Sequence, residues 1–252
     1  VTGGAGFIGS NYIHYMLKKY GDSIRIINVD LLTYAGNLEN LKDIEHLENY
    51  TFVRADITDK AAISKIFEEN EIAAFFYIGG NDSMDTVDKL SAYAEAIGSP
   101  VRVLGIPKTI DNDLCVTDHT PGFGSAAKFV ASTFLEIAHD TYIYKVKSVT
   151  IVEVMGRDAG WLTAASALAR NEYSAAPHLI YLPEHAFSTD EFLADVKELL
   201  EKQKNVIVAV SEGIRDKNGN YISAAENATD TFGHSQLSGV GKTLECFLKK
   251  NF

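Results

Sequence analysis

Two short polar clusters carry residue types that handle phosphate. The first is Gly79-Gly80-Asn81-Asp82-Ser83; the second is the carboxylate-rich turn Pro107-Lys108-Thr109-Ile110-Asp111-Asn112-Asp113. Paired glycines let a backbone approach a ligand closely, and a helix N-terminus following them favours an anion. The chemistry these clusters suggest is the binding of a phosphate group beside ionisable oxygen atoms.

The elements that must position them can be read from the surrounding pattern. Ala74 to Ile78 and Val101 to Ile106 are apolar, β-like runs, each ending at one of the clusters. Met84 to Ile97, between them, is amphipathic. The resulting βαβ unit puts both clusters at the carboxyl ends of its strands, where open parallel sheets bind ligands. Strands and helices alternate along the rest of the chain, so the expected class is α/β with mainly parallel strands.

The 252 residues suffice for one large or two modest domains, and a hydrophobic share of 46% argues against wholesale disorder. A net charge of −11 argues against broad electrostatic binding to nucleic acid or an anionic membrane, so an anionic substrate must be held by local donors. The cysteines, Cys115 and Cys246, lack metal-type spacing, which suits a reducing, cytoplasmic setting and argues against structural zinc. No apolar run approaches the ~20 residues that span a bilayer. The sequence opens at Val1, directly before a glycine turn, so its N-terminus is expected to be trimmed.

That opening, Thr2-Gly3-Gly4-Ala5-Gly6-Phe7-Ile8-Gly9-Ser10, leads into a helical pattern from Asn11 to Tyr20 and then a strand from Ile24 to Val29, ending at Asp30. The distance from Gly9 to Asp30 is close to the ~20 residues that separate a dinucleotide-binding turn from its ribose-binding acid. With Asn28-Val29-Asp30-Leu31-Leu32-Thr33-Tyr34-Ala35-Gly36-Asn37-Leu38 and Asp56-Ile57, residues 1–72 resemble the N-terminus of the extended short-chain dehydrogenase/reductases, dTDP-glucose 4,6-dehydratases in particular. The resemblance implies that Gly3, Gly6, Phe7, Ile8 and Gly9 cradle the pyrophosphate of NAD. It also implies that Asp30 holds its ribose and that Asp56 and Ile57 meet its adenine. The Tyr-x-x-x-Lys pair with which that family moves protons is expected to be missing.

Residues 73–252 resemble another family, the phosphofructokinases. The ordered motifs are Gly79-Gly80-Asn81-Asp82-Ser83, Pro107 to Asp113, Pro121-Gly122-Phe123-Gly124, Met155-Gly156-Arg157-Asp158-Ala159-Gly160, Ser211-Glu212-Gly213 and Phe232-Gly233-His234-Ser235-Gln236. Phosphorylating a sugar hydroxyl needs a base beside it, with positioning and charge neutralisation doing the rest. Asp111, in a turn with Thr109 and Asp113, is the candidate base, and the resemblance implies the same role. Asp113 suits Mg²⁺, with Lys108 as a third catalytic candidate. Arg157 can fork onto a phosphate. The resemblance further implies a sugar pocket of Thr109, Met155, Gly156, Arg157, Glu212 and His234. The phosphoryl donor would lie on Gly80, Asn81, Asp82 and Ser83. ATP-using members generally carry glycine where this chain has Asp82 and Lys108, so the donor implied is pyrophosphate.

The sequence therefore reads as a hybrid: a Rossmann-like, doubly wound parallel sheet joined to a second, phosphofructokinase-type α/β domain. The expected domains are 1–123, completed by about 237–252, and a sugar-binding domain over 124–236. The expected activity is phosphoryl transfer from pyrophosphate, with ATP as the less favoured donor, to fructose 6-phosphate in a homo-oligomer. The alternatives are an NAD-binding, dehydratase-like protein and a recombined scaffold without catalysis. Ser238-Gly239-Val240-Gly241-Lys242-Thr243 mimics a P-loop, but Gln236 stands where the pattern needs glycine, so a helix start is expected there.

Overall fold

The computed structural model describes residues 1–229, 235–237 and 239–252, the side chains of 81–82, 224–229 and 235–237 excepted. The chain divides into two compact units: Val1–Phe75 with Ser99–Arg102, and Phe76–Gly98 with Val103–Phe252.

In the first unit, α1 (Phe7–Tyr20) follows the glycine turn directly and starts earlier than the apolar spacing alone indicates. Strands β1 (Ile26–Asp30) and β2 (Tyr50–Arg54) pair in parallel, Ile26 opposite Tyr50 and Asp30 opposite Arg54. Thr2 adds a parallel bridge to Val29 on β1. The helix buries Ile13 and Leu17 against Ile26, Leu41 and Tyr50, the helical-period stripe expected of a half-exposed helix. Asp59 caps α2 (Lys60–Glu69) by accepting from the Ala61 and Ala62 amides.

Strand β3 (Ala74–Gly79), helix α3 (Asn81–Ala96) and strand β4 (Arg102–Pro107) form the βαβ unit expected from the sequence. Arg102 N–H donates to Ala73 O and Lys108 N–H to Gly79 O, so the register advances equally on both strands, as parallel pairing requires. Phe76, Ile78, Leu104 and Ile106 on these strands remain exposed.

The remaining chain builds a sheet covered on both faces. Helix α4 (Phe123–Tyr142) precedes β5 (Ser148–Val154), the short α5 (Trp161–Ala165), β6 (Leu179–Tyr181), α6 (Thr189–Lys202) and β7 (Asn205–Ser211). The strands lie in the order β5-β7-β6, all parallel. Along β7, Val206, Val208 and Val210 enter one core cluster with Phe192, Val196 and Leu200 of α6. Ile207 and Ala209 enter another with Phe134 and Ala138 of α4 and Leu162 of α5. A strand buried on both faces needs an unbroken apolar run, and Val206 to Val210 supplies one. Ser188 caps α6 by accepting from the Glu191 amide.

Two further strands, β8 (Ala224–Thr229) and β9 (Ser235–Leu237), pair antiparallel, and α7 (Val240–Asn251) ends the chain. The parallel strands thus form two pairs and a triplet, where a doubly wound sheet is expected from the sequence. Helix α7 contributes Val240, Leu244 and Leu248 to the Val206–Val208–Val210 cluster. The sequence expectation paired this helix with residues 1–123; periodicity identified its inward face but not its partner. At its first turn, Gly241 N–H donates to Glu153 Oε2 at 2.8 Å. The position a P-loop would give to phosphate is filled by a carboxylate from β5, as the helix dipole favours. Glu153→Ala should cost about 1 kcal/mol of stability in urea unfolding, the scale of a lost helix cap; an unchanged midpoint would show that the contact contributes nothing.

Candidate functional site

The carboxylate-rich turn begins where β4 ends. Lys108 N–H donates to Gly79 O at 2.7 Å, tying the second motif to the first at the carboxyl ends of β3 and β4. Gly80 is the residue before α3, and Asn81, Asp82 and Ser83 form its first turn rather than a preceding loop. The side chains of Asn81 and Asp82 lie outside what the structure describes, and that of Lys108 is exposed.

Thr109 is buried and accepts from Asp111 N–H at 3.0 Å, a side-chain-closed turn that lifts Asp111 out of the strand direction. Asn112 does work the motif reading missed. It sits at φ +59°, accepts from Thr120 N–H at 2.8 Å and donates to Asp118 O at 3.1 Å. The left-handed region is one that asparagine tolerates better than most residues, and that was its sequence signal. With Asn112 pinning residues 112 to 120, Asp111 is held half-buried. Its Oδ1 has no hydrogen-bond partner among the described residues. Burial first, then the Asp113 and Glu212 carboxylates, push its carboxyl above the usual carboxylate range, against the pull of Arg157. A carboxylate so placed is a better proton acceptor than one in water.

The groups facing it come from two loops at the carboxyl ends of β5 and β7. After β5, Met155 is exposed, Gly156 buried and Arg157 half-buried; β7 ends on Ser211, and Glu212 and Gly213 follow it. The loops interlock: Glu212 N–H donates to Val154 O at 3.0 Å, and Gly156 N–H donates to Glu212 Oε1 at 3.1 Å. Ser211, fully buried, donates to Gly156 O at 2.5 Å. Gly213 passes so close that a Cβ there would overlap the Arg157 carbonyl oxygen. Arg157 itself forms no hydrogen bond or ion pair among the described residues. Its neighbour Asp158 is ion-paired with Arg215, whose guanidinium lies 4.5 Å from the Tyr221 ring centroid. Gly160 N–H donates to Glu184 Oε1 at 2.7 Å. Ser211, Arg215 and Glu184 are thus supporting residues that sequence reasoning did not find. Their partners are close only in the fold.

Arg157 and Glu212 are both brought within electrostatic reach of Asp111. His234 lies outside the described residues. Among these no cluster of three metal-ligating side chains occurs, and no helix is long and apolar enough to cross a membrane.

The N-terminal candidates form a second grouping. Gly3 N–H donates to Val29 O, and Gly6 directly precedes α1. Gly9 must be glycine, because a Cβ would collide with the Gly3 backbone. Phe7 and Ile8 stand exposed in the first turn, which has no side-chain cap. Asp30 accepts from Ala5 N–H at 2.9 Å and Leu32 N–H at 2.8 Å, so both carboxylate oxygens already hold the turn. Asp56 Oδ1 takes both the amide and the hydroxyl of Thr58, which keep its carboxyl below the usual range, and Ile57 is exposed. The expected absence of a Tyr-x-x-x-Lys pair needs correction: Tyr15 and Lys19 have that spacing. They sit on the outer face of α1, the ammonium 5.5 Å from the ring centroid, a cation–π contact between surface side chains.

The phosphofructokinase family profile matches residues 45–252, beginning upstream of the 72/73 boundary drawn from motifs. A pyrophosphate–fructose 6-phosphate 1-phosphotransferase from Xanthomonas campestris is 46% identical over 197 residues, covering 76% of this chain and 47% of the relative. A protein of the same description from Rhodospirillum rubrum is 51% identical over 182 residues, covering 71% and 45%. Among solved structures, a pyrophosphate-dependent phosphofructokinase from Nitrosospira multiformis superposes with a TM-score of 0.58 at 32% identity, covering 81% of this chain and 48% of that one. The chain spans about half the length of the curated relatives it matches.

Proposed function

We propose, since the chain belongs to the phosphofructokinase family, that it transfers a phosphoryl group from pyrophosphate to the 1-hydroxyl of fructose 6-phosphate. The observation that carries this reading is Asp111: a half-buried carboxylate with an orphaned oxygen, raised in proton affinity, facing Arg157 and Glu212. Asp111 takes the proton of the 1-hydroxyl as that oxygen attacks the terminal phosphorus. The bridging P–O bond breaks, and inorganic phosphate leaves with the bridging electrons. Arg157 neutralises charge on the transferred group, and Glu212 accepts from sugar hydroxyls beside Met155, Gly156 and Thr109, with His234 on the sugar phosphate. Lys108 and the Gly80–Ser83 turn receive the donor.

The Asp111–Asp113 pair fits a divalent cation, because burial and the Asp113 carboxylate raise the proton affinity of Asp111, a cost that a cation held between the two would relieve. Asp113 would hold Mg²⁺ together with phosphate oxygens, where the ion supplies charge neutralisation. The protein so read is a cytoplasmic homo-oligomer.

A second reading rests on the glycine turn of α1 and its link to Asp30: residues 1–72 bind NAD, in a hybrid with the transferase. A non-catalytic recombined scaffold is the third. Parallel calorimetric titrations with fructose 6-phosphate, pyrophosphate, ATP and NAD, each with Mg²⁺, separate them. Heat from the sugar phosphate and pyrophosphate, with fructose bisphosphate formed when both are present, is expected. Heat from NAD alone would favour the second reading, and silence throughout the third.

A further inference from the structure

The two loops that would meet the sugar are fastened by a residue that meets nothing outside the protein. Ser211 has no exposed surface. Its hydroxyl donates to Gly156 O at 2.5 Å and accepts from Gly213 N–H at 3.2 Å, so its donor and one acceptor position are committed across the two loops. Gly156 is consequently held through the peptide groups on both of its sides. Its carbonyl is held by Ser211, and the N–H of the same residue donates to Glu212 Oε1. Glu212 N–H is fixed in turn on Val154 O. This closed circuit sets the carboxylate plane of Glu212 and leaves Oε2 for a ligand.

We propose that Ser211 is a positioning residue for sugar recognition: it fixes the Gly156 amide, and the Gly156 amide fixes the Glu212 carboxylate. The consequence is selective. Among the described residues, the donor motifs at Gly80–Ser83 and Lys108 hang on β3 and β4 and share no hydrogen bond with this circuit, whereas Met155, Gly156, Arg157 and Glu212 all belong to the two loops it joins. Loss of the Ser211 hydroxyl therefore loosens the sugar side and leaves the donor side intact.

The assignment to a sugar rests on the function proposed above, and the test separates the two. Amide hydrogen exchange in the full chain reads the circuit directly: Ser211→Ala should speed exchange at Gly156 by about tenfold, the scale of one lost buried hydrogen bond, with Val152 on β5 unchanged. In parallel, calorimetric affinity for fructose 6-phosphate should fall about tenfold while that for pyrophosphate stays within about twofold. Ser211→Thr, which keeps the hydroxyl, should restore both readouts. Unaltered Gly156 exchange in Ser211→Ala, equal weakening of both ligands, or no rescue by threonine in a variant that melts normally would overturn the positioning role. If the unsubstituted chain binds no sugar phosphate but Gly156 exchange still responds, the sugar reading fails and the circuit stands.

Discussion

Asp111→Asn should abolish turnover and, at the same time, make the protein more resistant to heat. The catalytic half follows from the proposed role of general base: an amide of the same shape cannot accept the hydroxyl proton, and a loss of about 10³-fold in kcat is the expected scale. The pH dependence has a definite sign. Asp111 must be ionised to act, and its carboxyl is held above the usual range, so the rate falls as pH drops through that raised value rather than near 4. The stability half follows by linkage. A carboxyl with a folded pKa above its unfolded value binds its proton more tightly in the folded chain. Its ionised form therefore costs stability at neutral pH, and the cost disappears as pH falls through the folded pKa. Asparagine removes the charge at every pH, so Tm at neutral pH should rise by a few degrees. A pH–rate profile and thermal melts of both proteins decide the matter. Residual activity within tenfold of the parent, or a lower Tm for the variant, would contradict this account of Asp111.

Arg157→Ala should lower kcat/KM by about 10²–10³-fold, the cost of removing one well-placed charged donor from a developing anion. The Arg157 guanidinium also pulls the Asp111 pKa down, so its loss should move the acid limb of the pH–rate profile to higher pH. Arg157→Lys discriminates between the two effects. The ammonium keeps the charge that restrains Asp111 but lacks the planar fork that grips a phosphate. The limb should return towards its parental position while most of the loss in kcat/KM persists. If alanine leaves the limb unmoved, Arg157 and Asp111 do not act in one site.

How far the sequence reached is clearest at particular residues. The apolar runs ending at the two polar clusters announced strands β3 and β4 and the helix between them. That depends on local pattern, which a sequence displays directly, whereas the burial of β7 on both faces emerged only in the fold. Asp111, Arg157 and Glu212 were singled out because each follows an apolar strand within a motif, and the fold brings Arg157 and Glu212 within electrostatic reach of Asp111. What stayed illegible depends on partners distant in the chain. Ser211 looks like any strand-end serine until Gly156 lies against it, and Arg215 is an ordinary surface arginine until Asp158 arrives. Glu153 gave no sign that it would occupy the start of α7. The extent of the first glycine motif was misjudged for a different reason: a helix can begin within polar residues when glycine precedes it, and apolar periodicity does not register that turn.

The exposed apolar side chains of β3 and β4 have a consequence for how the molecule comes apart. Phe76, Ile78, Leu104 and Ile106 gain little from burial, whereas every residue from Val206 to Ser211 on β7 is buried. Since local opening costs least where the fewest apolar contacts are broken, the strands that carry Asp111 and the donor turn sit on the labile part of this unit. The loops carrying Arg157 and Glu212 rise from its firmest part. Under mild heating or low denaturant, the proposed function would therefore fail in a set order: sugar binding would outlast the means to phosphorylate the sugar.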